Sequence, residues 1–148
     1  MDIASLLKSL NAHNVKYVII GATAFPVHGY ARATLDLDVF IEPSQENAER
    51  TRTALISFGY DITDVSVDDL LKSKVLIRQY LVEVDIHPFV AGASFEEVWN
   101  GRIEDRLQGT PVFFAGLDDL IRMKQAAGRP KDIEDLRALT ELRKRKNG

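Results

Sequence analysis

Between Thr34 and Ile41 the chain reads Thr-Leu-Asp-Leu-Asp-Val-Phe-Ile, aspartates and aliphatic residues alternating with a period of two. Successive side chains of an extended segment point to opposite faces. The pattern therefore predicts a strand that buries Leu37, Val39 and Ile41 and leaves Asp36 and Asp38 together on its other face. Two residues apart on one strand, the aspartates have Cα atoms about 6.6 Å apart, within reach of a shared cation. A second segment repeats the arrangement, with Val82, Val84 and Ile86 alternating with Glu83, Asp85 and His87. If the two strands are neighbours, about 4.8 Å apart, Asp85 joins Asp36 and Asp38. Three carboxylates so placed repel one another unless a cation sits among them, and oxygen ligands select a hard ion, Mg²⁺ or Mn²⁺. Acidic clusters holding one or two such ions handle triphosphates. A lone Asp-x-Asp reads as a solvated strand edge or a turn; the flanking alternation and the second acidic strand favour the site.

Around these strands the order of elements reads as a mixed sheet packed by helices, α+β or α/β in class, with a helical C-terminal segment. Ile3, Leu6, Leu7 and Leu10 recur at helical spacing over Asp2 to Asn11, and Tyr17 to Ile20 is a short buried strand ended by Gly21. Ala22 to His28 reads as a helical turn closed by Gly29. Ser44 is the expected N-cap of a helix with Ala48, Leu55, Ile56 and Phe58 on its buried side. Gly59 to Ile62 is expected to be a short strand, Val67 to Lys72 a weak helix, and Val75 to Tyr80 with Leu81 to His87 a hairpin. Phe95 to Trp99 reads as a helix, Val112 to Phe114 as a last strand, and Leu117 to Ala127 and Asp132 to Leu142 as helices parted by Gly128-Arg129-Pro130. With no repeat and no linker, residues 1–148 read as one domain of which 117–146 is the helical C-terminal part.

The chain has no cysteine, which rules out disulfides and thiolate metal sites. Its start lacks a basic and apolar leader, and no apolar run approaches the roughly 20 residues needed to cross a bilayer, so a cytoplasmic, membrane-free protein is expected. Residues 122–146 hold nine Lys or Arg against four acids, a local +5 in a chain of net charge -3. A cationic arm beside an acidic body suits a protein that meets phosphates at one place.

Gly21-Ala22-Thr23 upstream of Asp36-x-Asp38, with a later acid at Asp85, resembles the signature of the nucleotidyltransferase superfamily, the DNA polymerase beta-like fold. The wider pattern of Gly21, Thr23, His28-Gly29, Arg32-x-Thr34 and Asp36-Leu37-Asp38 is similar to small bacterial nucleotidyltransferases related to AbiEii-type toxins. The C-terminal Leu120, Lys124, Arg129, Asp132 and Asp135 resemble the Lys/Arg/Asp motif of that group. The resemblance covers about half of the chain. It implies that Asp36, Asp38 and Asp85 hold Mg²⁺ or Mn²⁺, with Asp85 as base for the acceptor hydroxyl. A nucleoside triphosphate would be the substrate, pyrophosphate the leaving group, and Gly21, Thr23, Arg32, Lys124 and Arg129 the phosphate-binding residues. One position departs: Ala22 stands where the second glycine of the usual pair would be, and glycine permits backbone angles that alanine does not.

Each of these residues also has a plainer reading. His28 before Gly29 would cap helix-end carbonyls, and Arg32 would form an ion pair with nearby acids. His87 is a poor metal ligand in an oxygen site. Asp132 and Asp135 would compensate a helix dipole, Lys124 and Arg129 would be solvated surface, Trp99 and Phe113-Phe114 core, and Arg143 to Lys146 a frayed tail. Three functions follow from the resemblance. The first is NMP transfer to an RNA such as tRNA or to a protein, as in toxin-antitoxin systems, with a cognate antitoxin as partner. The second is modification of a small drug-like hydroxyl, since Val84 to Pro88 is similar to a segment of lincosamide-modifying enzymes. The third is a degenerate domain that only binds nucleotide or a partner.

Overall fold

A computed structural model describes residues 2–34 and 36–147. Its elements, in chain order, are α1 (Ile3–Ala12), β1 (Tyr17–Ile20), β2 (Asp36–Ile41), α2 (Gln45–Phe58), α3 (Val67–Lys72), β3 (Val75–Gln79), β4 (Val82–His87), α4 (Phe95–Asn100), β5 (Ile103–Leu107), β6 (Thr110–Phe114), α5 (Leu117–Ala127) and α6 (Ile133–Asn147). Short 3-10 turns occupy Gly21–Ala24, Pro26–His28 and Pro130–Asp132. The expected α+β class is the observed one: a six-stranded mixed sheet, ordered β3-β4-β2-β1-β6-β5, flanked by helices.

The helices begin where side chains can absorb their free N–H groups. Asp2 caps α1 by accepting from the Ser5 amide at 2.8 Å, and Ser44 caps α2 by accepting from the Asn47 amide at 3.2 Å. Ser66 and Ser94 start α3 and α4 with reciprocal capping boxes to Asp69 and Glu97. The α2 helix buries Asn47, Ala48, Thr51, Ala54 and Leu55, while Ile56, expected on the buried side, faces solvent.

Within the sheet, β2 runs antiparallel to β1 and parallel to β4, β1 runs parallel to β6, and the two ends are hairpins, β3-β4 and β5-β6. Leu37, Val39 and Ile41 of β2 and Val82, Val84 and Ile86 of β4 are all buried, as the alternation predicts. Phe40 shares its side with Asp36 and Asp38 by alternation, yet it is buried beneath Phe95 of α4, edge to face at 5.2 Å. Phe40 and Phe95 thus cover the acidic face toward the end of β2, while Asp36 at its start is 38% exposed.

Three sequence expectations fail for identifiable reasons. Gly59 to Ile62 forms no strand, because side chains replace the ladder. Gln79 accepts from the Asp61 amide at 2.8 Å and donates to the Asp61 carbonyl at 2.7 Å, and Tyr60 Oη donates to the Val82 carbonyl at 2.6 Å. The β5 strand went unread because all but one of its side chains are exposed, so it lacks apolar alternation. The 143–146 run continues α6, with Arg143 paired to Asp118 at 2.8 Å. Leu35, expected in the acidic strand, lies outside the described residues.

Candidate active site

The parallel pairing of β2 and β4 sets Asp36 opposite Glu83, Asp38 opposite Asp85 and Phe40 opposite His87. The acids of both strands thus share a face, and Asp38 and Asp85 are direct cross-strand neighbours. Ligand atoms of Asp38, Asp85 and His87 all lie within 4.8 Å of one another. His87 Nε2 contacts Asp38 Oδ1 at 2.8 Å, which fixes the carboxylate from one side. Asp36 and Glu83 face each other at the open end, and that proximity, with some burial, pushes the Glu83 carboxyl above its ordinary pKa.

Gly21 ends β1 immediately beside this cluster. Its φ is +70°, and a Cβ built on it would stand 2.5 Å from Asp38 Oδ2. Glycine is required here twice, for the left-handed backbone and for the space the carboxylate fills. The chain then tightens into the 3-10 turn of Gly21–Ala24, where Ala22 and Ala24 are buried. Among the described residues other than glycine, only Asn14, Tyr80 and Gln108 have positive φ. Ala22 therefore sits at an ordinary backbone angle, and its methyl group packs instead of straining the turn. Thr23 Oγ1 makes a long contact of 3.5 Å with the Asp36 carbonyl, linking the turn to the acidic strand.

A cation not anticipated from the sequence lies among the acids. Arg78 of β3 donates from Nη1 to Asp85 Oδ1 at 2.6 Å, and it stands 3.8 Å from Asp36 and 3.7 Å from Glu83. Its only sequence signal was its place in a hairpin opposite Glu83, readable once register is known.

The basic residues of the C-terminal motif form a second cluster. Lys124 Nζ donates to Asp132 at 2.9 Å and stands 3.2 Å from Asp135. Arg129 pairs with Asp132 at 2.7 Å, and Arg32 grips Asp135 through two bonds of 2.7 and 2.8 Å. Tyr30 adds a bond to Asp135 at 2.9 Å. Arg32 thus makes an ion pair with a nearby acid, as its plainer reading has it, although that acid is 103 positions away in sequence. Asp132 and Asp135 are buried, so their role exceeds dipole compensation. The Arg129 hydrogen bond, helped by Lys124, holds the Asp132 carboxyl well below the usual carboxylate range. Burial pushes Asp135 up, but bonds from Arg32, Tyr30 and Lys124 more than offset it and leave it lowered. Lys124 is 14% exposed, whereas Arg129 is 53% exposed and also feels the charge of Asp38. Of the three basic residues, Arg129 is the most exposed.

His28 does not cap its own turn. Its Nε2 bonds the Ala115 carbonyl at 2.8 Å, tying the turn to the end of β6. Trp99 lies at the edge of the core with Arg102 stacked 3.9 Å over its ring, and Phe114 is buried.

A glycine turn is pressed against paired acids on adjacent strands of a mixed sheet, the arrangement that the sequence resemblance implies. In agreement, residues 1–145 match a family described as nucleotidyltransferases of unknown function (DUF6036), and the chain belongs to that family. No protein of curated function matches it. The family implies a nucleoside triphosphate and a divalent cation in general terms. The residues fit such an ion: two carboxylates with convergent oxygens, a third at the same face, and an imidazole that orients one of them. No helix of the described residues is long and apolar enough to cross a membrane.

Proposed function

We propose that the chain transfers a nucleoside monophosphate from a nucleoside triphosphate to an acceptor hydroxyl, with Asp36, Asp38 and Asp85 holding Mg²⁺ or Mn²⁺. The observation that carries this reading is the in-register Asp38-Asp85 pair with the Gly21 turn seated on Asp38. When bound, the divalent ion supplies positive charge to the entering and leaving oxygens. The chain's own residues do the rest. The Gly21–Ala24 turn brings backbone amides and the Thr23 hydroxyl to the triphosphate, and Arg129 swings from Asp132 to a phosphate oxygen as a planar fork. Asp85 takes the proton of the acceptor hydroxyl. The new bond joins the acceptor oxygen to the α-phosphorus, the α–β bridging bond breaks, and pyrophosphate leaves. His87 keeps Asp38 oriented. Arg32 and Lys124 act at one remove, by neutralising the buried Asp132 and Asp135 that anchor the C-terminal helices.

The acceptor reading is RNA, tRNA in the first instance, as the resemblance to toxin-related enzymes implies, with a cognate antitoxin as partner. Its support is the run of exposed cations from Arg143 to Lys146 carried on α6. Incubation with each α-labelled triphosphate, Mg²⁺ or Mn²⁺ and total tRNA tests it. Label is expected on tRNA, and none after chelation or in the Asp36→Ala and Asp38→Ala proteins. Label confined to small molecules would reassign the acceptor. Triphosphate binding with no transfer to any acceptor would make the domain a binding module and sink the catalytic reading.

A further inference from the structure

The acids of the site differ in what neutralises them. Asp38 has His87 on one oxygen and the Gly21 turn against the other. Asp85 and Asp36 share the guanidinium of Arg78, which also approaches Glu83. Arg78 thus occupies an Asp85 oxygen on which a divalent ion would draw. An arginine cannot shed its charge, so with an ion present two cations would compete for one carboxylate. Arg78 is held by the carboxylates and by a 3.3 Å bond from Nη1 to the Ile77 carbonyl, not by burial: β3 is the edge strand, Leu76 and Tyr80 beside it are exposed, and Arg78 itself is 38% exposed. The guanidinium can leave without opening the core.

We propose that Arg78 is an exchangeable counter-cation, holding Asp85 and Asp36 together in the ion-free site and releasing Asp85 when the divalent ion enters. Metal affinity is then set by competition with the chain's own side chain. This rests on the reading that Asp36, Asp38 and Asp85 hold the metal. The contrary role, a fixed arginine that positions Asp85 for the ion, predicts the opposite effect of removing it. A competitor's loss tightens metal binding; a positioner's loss weakens it.

Mn²⁺ binding to the full chain, followed without nucleotide by the paramagnetic resonance of the free ion, distinguishes the two. Arg78→Gln is expected to bind Mn²⁺ about tenfold more tightly than wild type, since a charge-assisted bond to Asp85 no longer has to be broken. Arg78→Lys should fall between them, because a point charge cannot span three carboxylates. Circular dichroism checks that the variants fold. In the unmutated protein, Mg²⁺ should shift the Arg78 Nε–H resonance, assigned by its loss in Arg78→Gln, toward that of solvated arginines. Unchanged or weaker Mn²⁺ binding in folded Arg78→Gln, or an Nε–H resonance indifferent to Mg²⁺, overturns the exchange. If such binding is still lost in Asp38→Asn, the metal site stands and only the role of Arg78 falls. If neither wild type nor variants bind Mn²⁺, the metal reading falls and takes the exchange with it.

Discussion

Gly21→Ala would ask an L-residue to keep φ at +70° while its methyl group meets Asp38 Oδ2 at 2.5 Å. The left-handed backbone alone costs about 1–2 kcal/mol, and the clash must displace the Asp38 carboxylate. Loss of NMP transfer with a lowered melting temperature is expected. Ala22→Gly is the informative contrast. If alanine merely packs in the turn, this variant keeps its activity and loses about 0.5–1 kcal/mol to backbone entropy. A large gain in transfer rate would show instead that the methyl group obstructs the triphosphate. Parity alone put Asp36 with Asp38 on one face of their strand and Asp85 with Glu83 and His87 on one face of another; that the two faces coincide depended on the strands being neighbours, which the β2-β4 pairing supplies. Arg78 stayed hidden because a cross-strand partner depends on register, which parity does not supply. The burial of Asp132 and Asp135 stayed hidden too, since an acid in a first helical turn looks the same in sequence whether it meets water or lysine.

The α5-α6 pair is held by charge as much as by apolar contact. Lys124, 14% exposed, sits between two carboxylates that are each 4% exposed. Removing one partner of a buried ionic group typically costs about 3–5 kcal/mol, so Lys124→Ala should unfold at clearly lower urea concentration. Arg145→Ala, on a fully solvated stretch of α6, should stay within about 0.5 kcal/mol of wild type. Were Lys124 a phosphate ligand, its alanine variant would instead keep its stability and lose only triphosphate affinity. Helices were read well from sequence because their caps and apolar spacing are local; α3 and α5 match their expected bounds. Two short segments were misread: Gly59 to Ile62 has strand-like residues but meets its neighbours through the Gln79 and Tyr60 side chains. In the opposite case, β5 exists only because β6 pairs with it across a turn at Gln108-Gly109, both at positive φ.

Across the whole molecule, buried ionisable groups set how stability follows pH. Burial lowers the pKa of His28, only partly offset by its bond to Ala115. A folded pKa below the ordinary 6.5 means that the unfolded chain binds the proton more readily, so this contribution is complete above 6.5 and lost as pH falls. Asp132 and Asp135, also lowered, follow the same sign at lower pH: their contribution is present above an unfolded value of about 3.9 and lost below it. Asp119, pushed up by burial, works in the other direction and softens the acid limb. Melting temperatures should therefore decline gently below about pH 6.5 and steeply below about pH 4. His28→Gln, which keeps a donor for the Ala115 carbonyl, should flatten the upper decline and leave the lower one intact. An unaltered upper slope in that variant would assign it to another group.

The bonds from Tyr30 and Arg32 to Asp135 join residues more than 100 positions apart, and they clamp the segment that leads into β2. Contacts of such long sequence separation form late, because most of the chain must already exist before they can close. On the ribosome, the approach to the acidic strand stays unlatched until α6 has emerged. A nascent chain can thus form its first helix and hairpins while its acidic edge is still unfinished, and the same helix that completes the edge carries the molecule's densest run of positive charge.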